Sequence, residues 1–328
     1  MAEKNVVNTL HDTMFDLLKQ DDRVLVMGED VGARGGVFRA TAGFMDEFGE
    51  QRVIDTPLAE SSIVGLGIGM ALHGLLPIAE IQFADFIHPA FDQLVSEAAR
   101  IRYRSNGDFG VPFVIRAPFG GGVHGALYHS QSIEAFYGHV PGLKVLLPST
   151  PYDTKGLLRA AVKDPDPVLF LEHKKTYRLI KGEVPDEDYE VPIGKADVKR
   201  EGDDLTCVAY GLMLHFCLEA AANLEQEDGT KVEVVDVRTV NPLDRGTILD
   251  SVRKTGKAMV VYEDNRTYGV GAEIMATIAE ETMFDLDGPL VRVAGPDIPA
   301  MPFSENLEHF YMPDVAGIQK AMKELAAF

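Results

Sequence analysis

The sequence predicts an α/β protein in which a parallel-sheet domain is followed by a smaller α/β domain. Short apolar runs alternate with helix-length amphipathic segments along most of the chain. Most of these runs are continuously apolar, which is typical of parallel strands covered on both faces. The alternation stops once, in a charged, proline-bearing stretch at 181–204, and then restarts. A chain of 328 residues is also long for a single core, which favours two domains.

The first predicted domain covers residues 1–185 and contains at least six apolar runs of strand length. They are VLVMGED, RVIDTP, PIAEIQF, VPFVIRAP, KVLLPS and PVLFLEH, and the predicted helices lie at 6–19, from about 61, around 89–103 and at 152–162. This order predicts a parallel sheet with helices on both faces. Ligands of such sheets bind beyond the carboxyl ends of the strands.

The second predicted domain covers residues 200–328 and repeats the alternation on a smaller scale. Its strands are LTCVAYG, KVEVVDVR, KAMVVYED and VRVAG, and helices are predicted from 212, near 244–254 and near 271–283. The prediction is a second, smaller α/β domain.

Charge and cysteine content exclude several classes of protein. A net charge of −20 argues against nucleic acid and anionic membranes as partners. Cys207 and Cys217 lack the spacing of a disulfide framework or a zinc site, so we expect free core thiols. The apolar stretch 63–79 is interrupted by His73 and Pro77 and is shorter than the roughly 20 residues of a membrane span. We therefore expect a buried element of a soluble protein, in the bacterial cytoplasm or, in a eukaryote, the mitochondrial matrix.

Glu60 is the first candidate for catalysis, because it ends the run DTPLAE just before the glycine-rich apolar segment from Ser61. A carboxylate that leads into a buried segment loses hydration, so it finds a partner or its pKa rises. Such a carboxyl group can exchange a proton with a heteroaromatic base. The alternative interpretation is an acid at the start of a helix.

Two further clusters follow predicted strands. EIQFADF (Glu80–Phe86) ends on two aromatic residues that flank an acid, and Glu29 follows the first long strand. The glycine-rich loop Gly120–Ser132 carries His124 and His129 among polar neighbours. A single histidine is more often structural, but a flexible polar loop favours a catalytic role.

The sequence contains no phosphate-binding motif of the usual kinds. No GxGxxG leads from a strand into a helix, and neither GxxxxGK[ST] nor a GDG with a downstream asparagine is present. This disfavours a NAD(P)-dependent oxidoreductase. If a phosphorylated cofactor is used, this chain holds its other end.

Taken together, the motifs identify a resemblance to a known family. GEDVG, GGVFRAT, DTPLAE, EIQFADF, IRYRS, GGGVHGALYHSQS, PGLKVLLPSTPYDTKGLL, DPVLFLEH and DVRT occur in order along the chain. Together they resemble the β subunit of the thiamine-dependent decarboxylase component of 2-oxo acid dehydrogenase complexes. GALYHSQS and FADF are more similar to the branched-chain (2-oxoisovalerate) enzymes than to the pyruvate enzymes. The resemblance implies a pyrimidine-binding transketolase-like domain followed by a transketolase C-terminal-like domain.

The resemblance also implies roles for individual residues around thiamine diphosphate. Glu60 would bond the pyrimidine ring nitrogen, and Phe86 would stack on the ring. His129 would act on the substrate or in acyl transfer. The remaining implied positions are Glu29, Leu58, Ala59 and Gln82 around the cofactor, and Phe83, Ala84 and Asp85 with Phe86 along the substrate.

Partners and ions follow from the same resemblance. An α subunit would hold the diphosphate and Mg²⁺ in a heterotetramer of two α and two β chains, which acts on the lipoyl group of an acyltransferase core. A structural K⁺ is implied at AAVKDPDP, with Ala161, Val162, Asp164 and Asp166 as candidate ligands, although a simple turn explains this run as well.

Several alternatives stay open at this point. A pyruvate or acetoin enzyme is the nearest alternative function, and a non-catalytic binding module that kept the fold is another. Arg104 and Arg116 are candidate clamps for a substrate carboxylate, but an arginine near a strand end more often pairs with an acid.

Overall fold

The computed structural model describes residues 2–328, which form two compact units. The first unit ends at Phe119 and resumes over Phe136–Ile193, whereas the second comprises Gly120–Ala135 and Gly194–Phe328. The glycine-rich loop therefore belongs with the C-terminal part of the chain.

The first unit is built on a parallel sheet whose strands lie in the order β6-β7-β5-β4-β2-β3. The strands are β2 (Val24–Gly28), β3 (Val53–Asp55), β4 (Leu76–Glu80), β5 (Val114–Phe119), β6 (Lys144–Leu146) and β7 (Val168–His173). The short strands β1 (Ala2–Asn5) and β8 (Lys181–Val184) pair antiparallel beside it. The helices are α1 (Val6–Gln20), α2 (Phe44–Phe48), α3 (Glu60–Leu72), α4 (Ile101–Arg104), α6 (Pro151–Lys163) and α7 (Thr176–Leu179).

Helices α1 and α6 pack together over one face of this sheet. Apolar side chains of α1 such as Leu10 and Met14 are fully buried against the strands. Both helices begin with a side-chain cap: Asn5 Oδ1 accepts from Asn8 N at 2.8 Å, and Thr150 Oγ1 accepts from Asp153 N at 3.1 Å. Such caps satisfy amides that have no partner inside the helix.

Two segments differ from the sequence predictions. Helix α3 was expected to be buried, yet Gly65, Leu66, Gly69 and Leu72 form an exposed face in this chain. Apolarity marks a surface that needs covering, but it does not distinguish a core from a subunit contact. The helix predicted around 89–103 consists of short turns and α4, because its hydrogen bonds change between 3₁₀, π and α spacing.

The second unit has a smaller sheet in the order β14-β13-β10-β11-β9, in which only β9 is antiparallel. Its strands are β9 (Asp197–Arg200), β10 (Leu205–Ala209), β11 (Val232–Asp236), β13 (Ala258–Asn265) and β14 (Val291–Gly295), and β12 (Thr239–Asn241) is a further short strand. The helices are α8 (Gly211–Asp228), α9 (Arg245–Thr255), α10 (Val270–Thr282), α11 (Glu305–Tyr311) and α12 (Val315–Ala326), while α5 (Glu134–Gly138) spans the boundary between the units.

The core of the second unit lies between its sheet and the packed helices α8 and α12. Cys207 and Cys217 are both free and buried there, which confirms the prediction of core thiols. Burial and the neighbouring Cys207 raise the pKa of the Cys217 thiol. The predicted α/β fold with two parallel-type sheets is confirmed. Over residues 2–328, no helix combines the length and apolarity that a bilayer crossing requires.

Candidate functional site

The carboxyl ends of three neighbouring strands bring the first candidate residues to one edge of the sheet. Strand β2 lies between β3 and β4, and all three run parallel. Glu29 follows β2, the segment Thr56–Glu60 follows β3, and the segment Ile81–Phe86 follows β4. The sequence predicted that these segments meet where the strands end, which requires the strands to be parallel neighbours. The structure shows that they are.

Glu60 is the first residue of α3, with Ala59 as the N-cap and no side-chain cap. The positive end of the helix dipole stabilises a carboxylate at this position. Glu60 is only half-buried, because one face of α3 is exposed in this chain. The predicted desolvation of Glu60 therefore depends on a surface that this chain alone does not provide.

Glu29 lies at the same edge, and its pKa is raised. Burial, the negative charge of Asp30 and that of Glu60 together raise the pKa of Glu29. The three carboxyl groups thus form an acidic cluster, in which Asp30 Oδ2 also accepts from Arg34 Nη1 at 3.1 Å. Such a cluster suits a ligand that presents N–H donors or a basic ring nitrogen.

Phe83 and Phe86 supply the aromatic part of the site. The 3₁₀ turn Ala84–Phe86 is closed by Phe86 N donating to Phe83 O at 2.9 Å. The two rings meet edge to face with centroids 5.7 Å apart, and Phe38 packs edge-on against Phe83. Phe86 is half-buried, so part of its ring is exposed, and an exposed aromatic face can stack on an aromatic ligand.

The other predicted ligand residues differ in accessibility. Leu58 is 70% exposed, whereas Ala84 is fully buried. The Ala84 side chain therefore supports the turn and does not line the substrate pocket that the sequence had predicted for it. Ala59, Gln82 and Asp85 are half-buried, and Gln82 Nε2 lies 3.5 Å from Asp30 Oδ2. Gln82 therefore lies on the β2 side of the turn, beside the acidic cluster.

Thr56 is a site residue that sequence reasoning missed. Its backbone N–H donates to Gly28 O at 2.9 Å, but its buried hydroxyl has no hydrogen-bond partner within the described residues 2–328. An unpaired buried hydroxyl is costly unless a ligand or water satisfies it. Thr56, the acidic cluster and the Phe86 ring fit the aminopyrimidine end of thiamine diphosphate. The only sequence signal was its place inside DTPLAE.

The glycine-rich loop Gly120–Ser132 lies in the second unit. His124 and Ala126 have left-handed φ angles of 56° and 57°, which are strained for residues other than glycine. His129 is half-buried after the 3₁₀ turn Ala126–Tyr128, and its N–H donates to Ala126 O at 3.3 Å. Beside it, the buried hydroxyl of Ser130 has no hydrogen-bond partner in the described chain.

Two carboxylates from distant parts of the chain hold this loop, and sequence reasoning missed both. Gly121 N donates to Glu263 Oε1 at 2.5 Å, and Gly122 N donates to Glu308 Oε1 at 2.9 Å. Glu308 Oε1 also accepts a hydrogen bond from His124 N at 3.3 Å, and Glu308 Oε2 lies 2.5 Å from His124 Nδ1. No sequence signal marked these acids, because the pairs are separated by 142 and 186 positions.

Arg104 and Arg116 pair with acids rather than forming a clamp. Buried Arg116 lies between Glu80 and Glu172, whose carboxylates accept from it at 2.8 and 2.7 Å. Arg104 Nη2 lies 2.7 Å from Glu97 on the surface. The alternative interpretation of both arginines as structural partners is the one the geometry supports.

The candidate K⁺ residues lie at the end of α6, where the acids already have cationic partners. Lys144 Nζ lies 2.5 and 2.6 Å from the two Asp164 oxygens, and Arg102 Nε donates to Asp166. Ala161 O accepts from Asp164 N, and Ala161 and Val162 are buried. A cation here would depend on backbone carbonyls. Over residues 2–328, no three His, Cys, Asp or Glu side chains are grouped as a metal site.

Comparison with known proteins gives a consistent result across the chain. Residues 3–180 match the family model described as transketolase, pyrimidine binding domain, and residues 194–318 match transketolase, C-terminal domain. The chain is 58% identical to the 2-oxoisovalerate dehydrogenase subunit beta of Bacillus subtilis (strain 168), over 328 residues and 100% of both chains. It is 48% identical to the pyruvate dehydrogenase E1 component subunit beta of the same organism, again over 100% of both.

A solved structure described as a split gene transketolase, inactive beta4 tetramer, has a similar fold. The TM-score is 0.79, with 98% of each chain covered and 23% sequence identity. At this identity the likeness supports the fold alone.

Proposed function

The chain belongs to the β-subunit family of the 2-oxo acid dehydrogenases, and on that premise we propose that it decarboxylates a branched-chain 2-oxo acid together with an α-type subunit. The acyl group would pass to the lipoyl group of an acyltransferase component. The 2-oxoisovalerate relative, at 58% identity against 48% for the pyruvate relative, favours the branched-chain substrate. The pyruvate or acetoin reaction is the second candidate.

The observation that carries this proposal is the strand-end edge with Glu29, Glu60 and Phe86. It offers an acidic cluster and a partly exposed aromatic ring, which suit an aminopyrimidine. Thiamine diphosphate, when bound, would supply the carbon nucleophile that this reaction needs. Glu60 binds at the pyrimidine ring nitrogen and exchanges a proton there, while Phe86 orients the ring by stacking.

The substrate-facing roles fall to the turn at Phe83–Phe86 and to His129. In the proposal, Phe83 and Phe86 contact the branched side chain, and Asp85 lies beside them. His129 binds the substrate or the lipoyl arm and moves a proton during acyl transfer. Because one methylene changes discrimination by only about 1–3 kcal/mol, these side chains favour a substrate without excluding its homologues.

An α-type partner completes the proposed site. Support comes from the exposed face of α3, where Leu66 is 54% exposed beside Gly65 and Gly69. An apolar face of this kind on a soluble chain is typical of a protein contact. The partner would hold the diphosphate and Mg²⁺ in a heterotetramer of two α and two β chains. A structural K⁺ at the end of α6 and a cytoplasmic location belong to the same proposal.

The proposal is tested by co-expressing this chain with its α-type partner and assaying thiamine diphosphate-dependent decarboxylation. The panel contains 2-oxoisovalerate and pyruvate, followed by decarboxylation, and acetoin, followed by cleavage of its carbon–carbon bond because it has no carboxyl group. Each chain alone is the control. We expect activity only with both chains and a preference for 2-oxoisovalerate. A preference for pyruvate of about tenfold or more, within the range that one methylene provides, would select the second candidate. Stable assembly without activity on any of them would point to a non-catalytic module.

A further inference from the structure

Glu308 gathers three groups of the glycine-rich loop onto one buried carboxylate. Its Oε1 accepts from Gly122 N at 2.9 Å and from His124 N at 3.3 Å. Its Oε2 lies 2.5 Å from His124 Nδ1. Glu308 itself is fully buried on the inner face of α11, whereas its helix neighbours Leu307 and His309 are exposed. The position of the Glu308 carboxylate is therefore fixed by the packing of α11, unlike that of a mobile surface side chain.

Glu263 holds the adjacent amide from a different element. It lies on β13, is 4% exposed, and accepts from Gly121 N. A Cβ added at Gly121 would lie 2.6 Å from Met301 Cε and 3.4 Å from Glu263 Oε1. Gly121 therefore lies close to the side chains of Met301 and Glu263, and two carboxylates bind the amides of Gly121 and Gly122.

The loop needs these anchors because its own backbone is strained. His124 and Ala126 occupy the left-handed region, which costs conformational energy and persists only when the surroundings fix it. Charge-assisted hydrogen bonds from consecutive amides supply that fixation, since they are shorter and stronger than neutral ones. From Ala126 the turn continues directly to His129, whose N–H it binds.

We propose that Glu308, assisted by Glu263, is a positioning residue that sets the place of His129 in the reaction. Glu308 and Glu263 then act through the loop that carries His129, without touching the substrate themselves. The proposal deepens the proposed function and rests on it for its kinetic readout. The anchoring itself is a property of this chain, and it is measured independently of activity.

The test compares E308A, E308Q and the control E305A in the co-expressed complex. Glu305 lies on the same helix and is exposed. Hydrogen exchange of segment 121–132 is measured by mass spectrometry, beside kcat and KM. In E308A we expect exchange of this segment to rise about tenfold or more, because each hydrogen bond to a charged group contributes that order of protection. We expect kcat to fall by a similar factor, with the cofactor requirement unchanged.

E308Q keeps an oxygen acceptor on a side chain of the same length but loses the charge, so it is expected to restore part of the protection and at least a third of kcat. E305A is expected to match the parent in the hydrogen exchange of segment 121–132 and in kcat. Unchanged exchange in folded E308A would overturn the anchoring, and faster exchange with unchanged kcat would overturn the positioning role. If E308A does not fold, E308D carries the test, because it keeps the charge but withdraws it by one methylene. Absence of activity in the parent complex would contradict the proposed function, while the exchange comparison would still decide the anchoring.

Discussion

Nη1 of Arg116 donates to Oε2 of Glu80 at 2.8 Å between the adjacent strands β5 and β4, where neither side chain exceeds 4% exposure. On its other side, Arg116 Nε donates to Glu172 Oε1 on β7 at 2.7 Å, and Tyr177 OH donates to Oε2 of the same acid. Glu80 is the last residue of β4, directly before the turn that carries Phe86. The buried arginine therefore fixes the strand end from which the proposed cofactor contacts emerge.

We expect Arg116→Ala to destabilise the first unit by about 3–5 kcal/mol, because it leaves two buried carboxylates without their cation. The free energy of unfolding is measured by urea denaturation followed by far-UV circular dichroism. Arg104→Ala is the matched control, since its pair with Glu97 is 56% and 45% exposed and should contribute no more than about 1 kcal/mol. Equal losses for the two variants would contradict this account of Arg116.

Part of the candidate cofactor site was predictable from the sequence, because parallel strands place their carboxyl ends at one edge of a sheet. Glu29, Glu60 and Phe86 each follow an apolar run, and parallel order brings strand ends together. The anchors Glu263 and Glu308 could not be predicted, because their partners lie more than a hundred residues away and are backbone amides. The predicted burial of α3 holds for one face only, because Ile63 and Val64 are buried while Leu66 is exposed, and an apolar pattern does not say which face a chain covers itself.

Glu60→Gln is expected to lower kcat of the assembled enzyme about 100-fold or more, as removal of a general acid–base group does. The amide keeps the size of the side chain but cannot exchange a proton with the ring nitrogen. Decarboxylation by the complex is measured at saturating thiamine diphosphate, after size-exclusion chromatography has shown normal assembly. Glu50→Gln, at an exposed loop position, is the control and should retain parent activity. Near-normal kcat in Glu60→Gln would remove the proposed mechanism.

Substitutions of Phe86 test whether its ring binds the cofactor by stacking. We expect Phe86→Tyr to bind thiamine diphosphate about as well as the parent, because the ring is retained. Phe86→Ala should weaken binding by about 0.5–1.5 kcal/mol or more, since it removes an aromatic contact together with buried area. The apparent affinity is obtained from activity against cofactor concentration, in apo complex prepared by dialysis. If Phe86→Ala leaves the affinity unchanged, the ring does not stack on the cofactor.

The exposed face of α3 predicts an association defect for Leu66→Glu. The charge would be placed on an apolar surface that the partner must desolvate, which costs binding free energy without disturbing the core of the free chain. Co-purification with the α-type subunit and sedimentation velocity are expected to show loss of the tetramer, while the circular dichroism spectrum stays normal. Leu179→Glu, at a similarly exposed leucine on α7, is the control. An intact tetramer in Leu66→Glu would exclude this face as the contact.

The raised pKa of Glu134 predicts how the free energy of unfolding depends on pH. Its buried carboxyl accepts from Tyr210 OH at 2.8 Å, its other oxygen has no partner in the described residues, and Asp264 and Glu263 lie near. Burial and these acids raise the pKa of Glu134 from 4.5 to about 8, and burial raises that of Asp264 from 3.8 to about 6. The folded state therefore retains protons that the unfolded chain has already released above about pH 4.5.

Stability conferred by the Glu134 proton should be complete below about pH 4.5 and decline as pH rises to about 8, at up to about 1.4 kcal/mol per pH unit. Glu134→Gln has no such proton, so its stability relative to the parent should rise over this range. Urea unfolding of both proteins at pH 5, 6, 7 and 8 measures the difference, in which titrating groups that do not interact with Glu134 cancel. A difference that stays constant with pH would show that Glu134 is ionised in the folded chain.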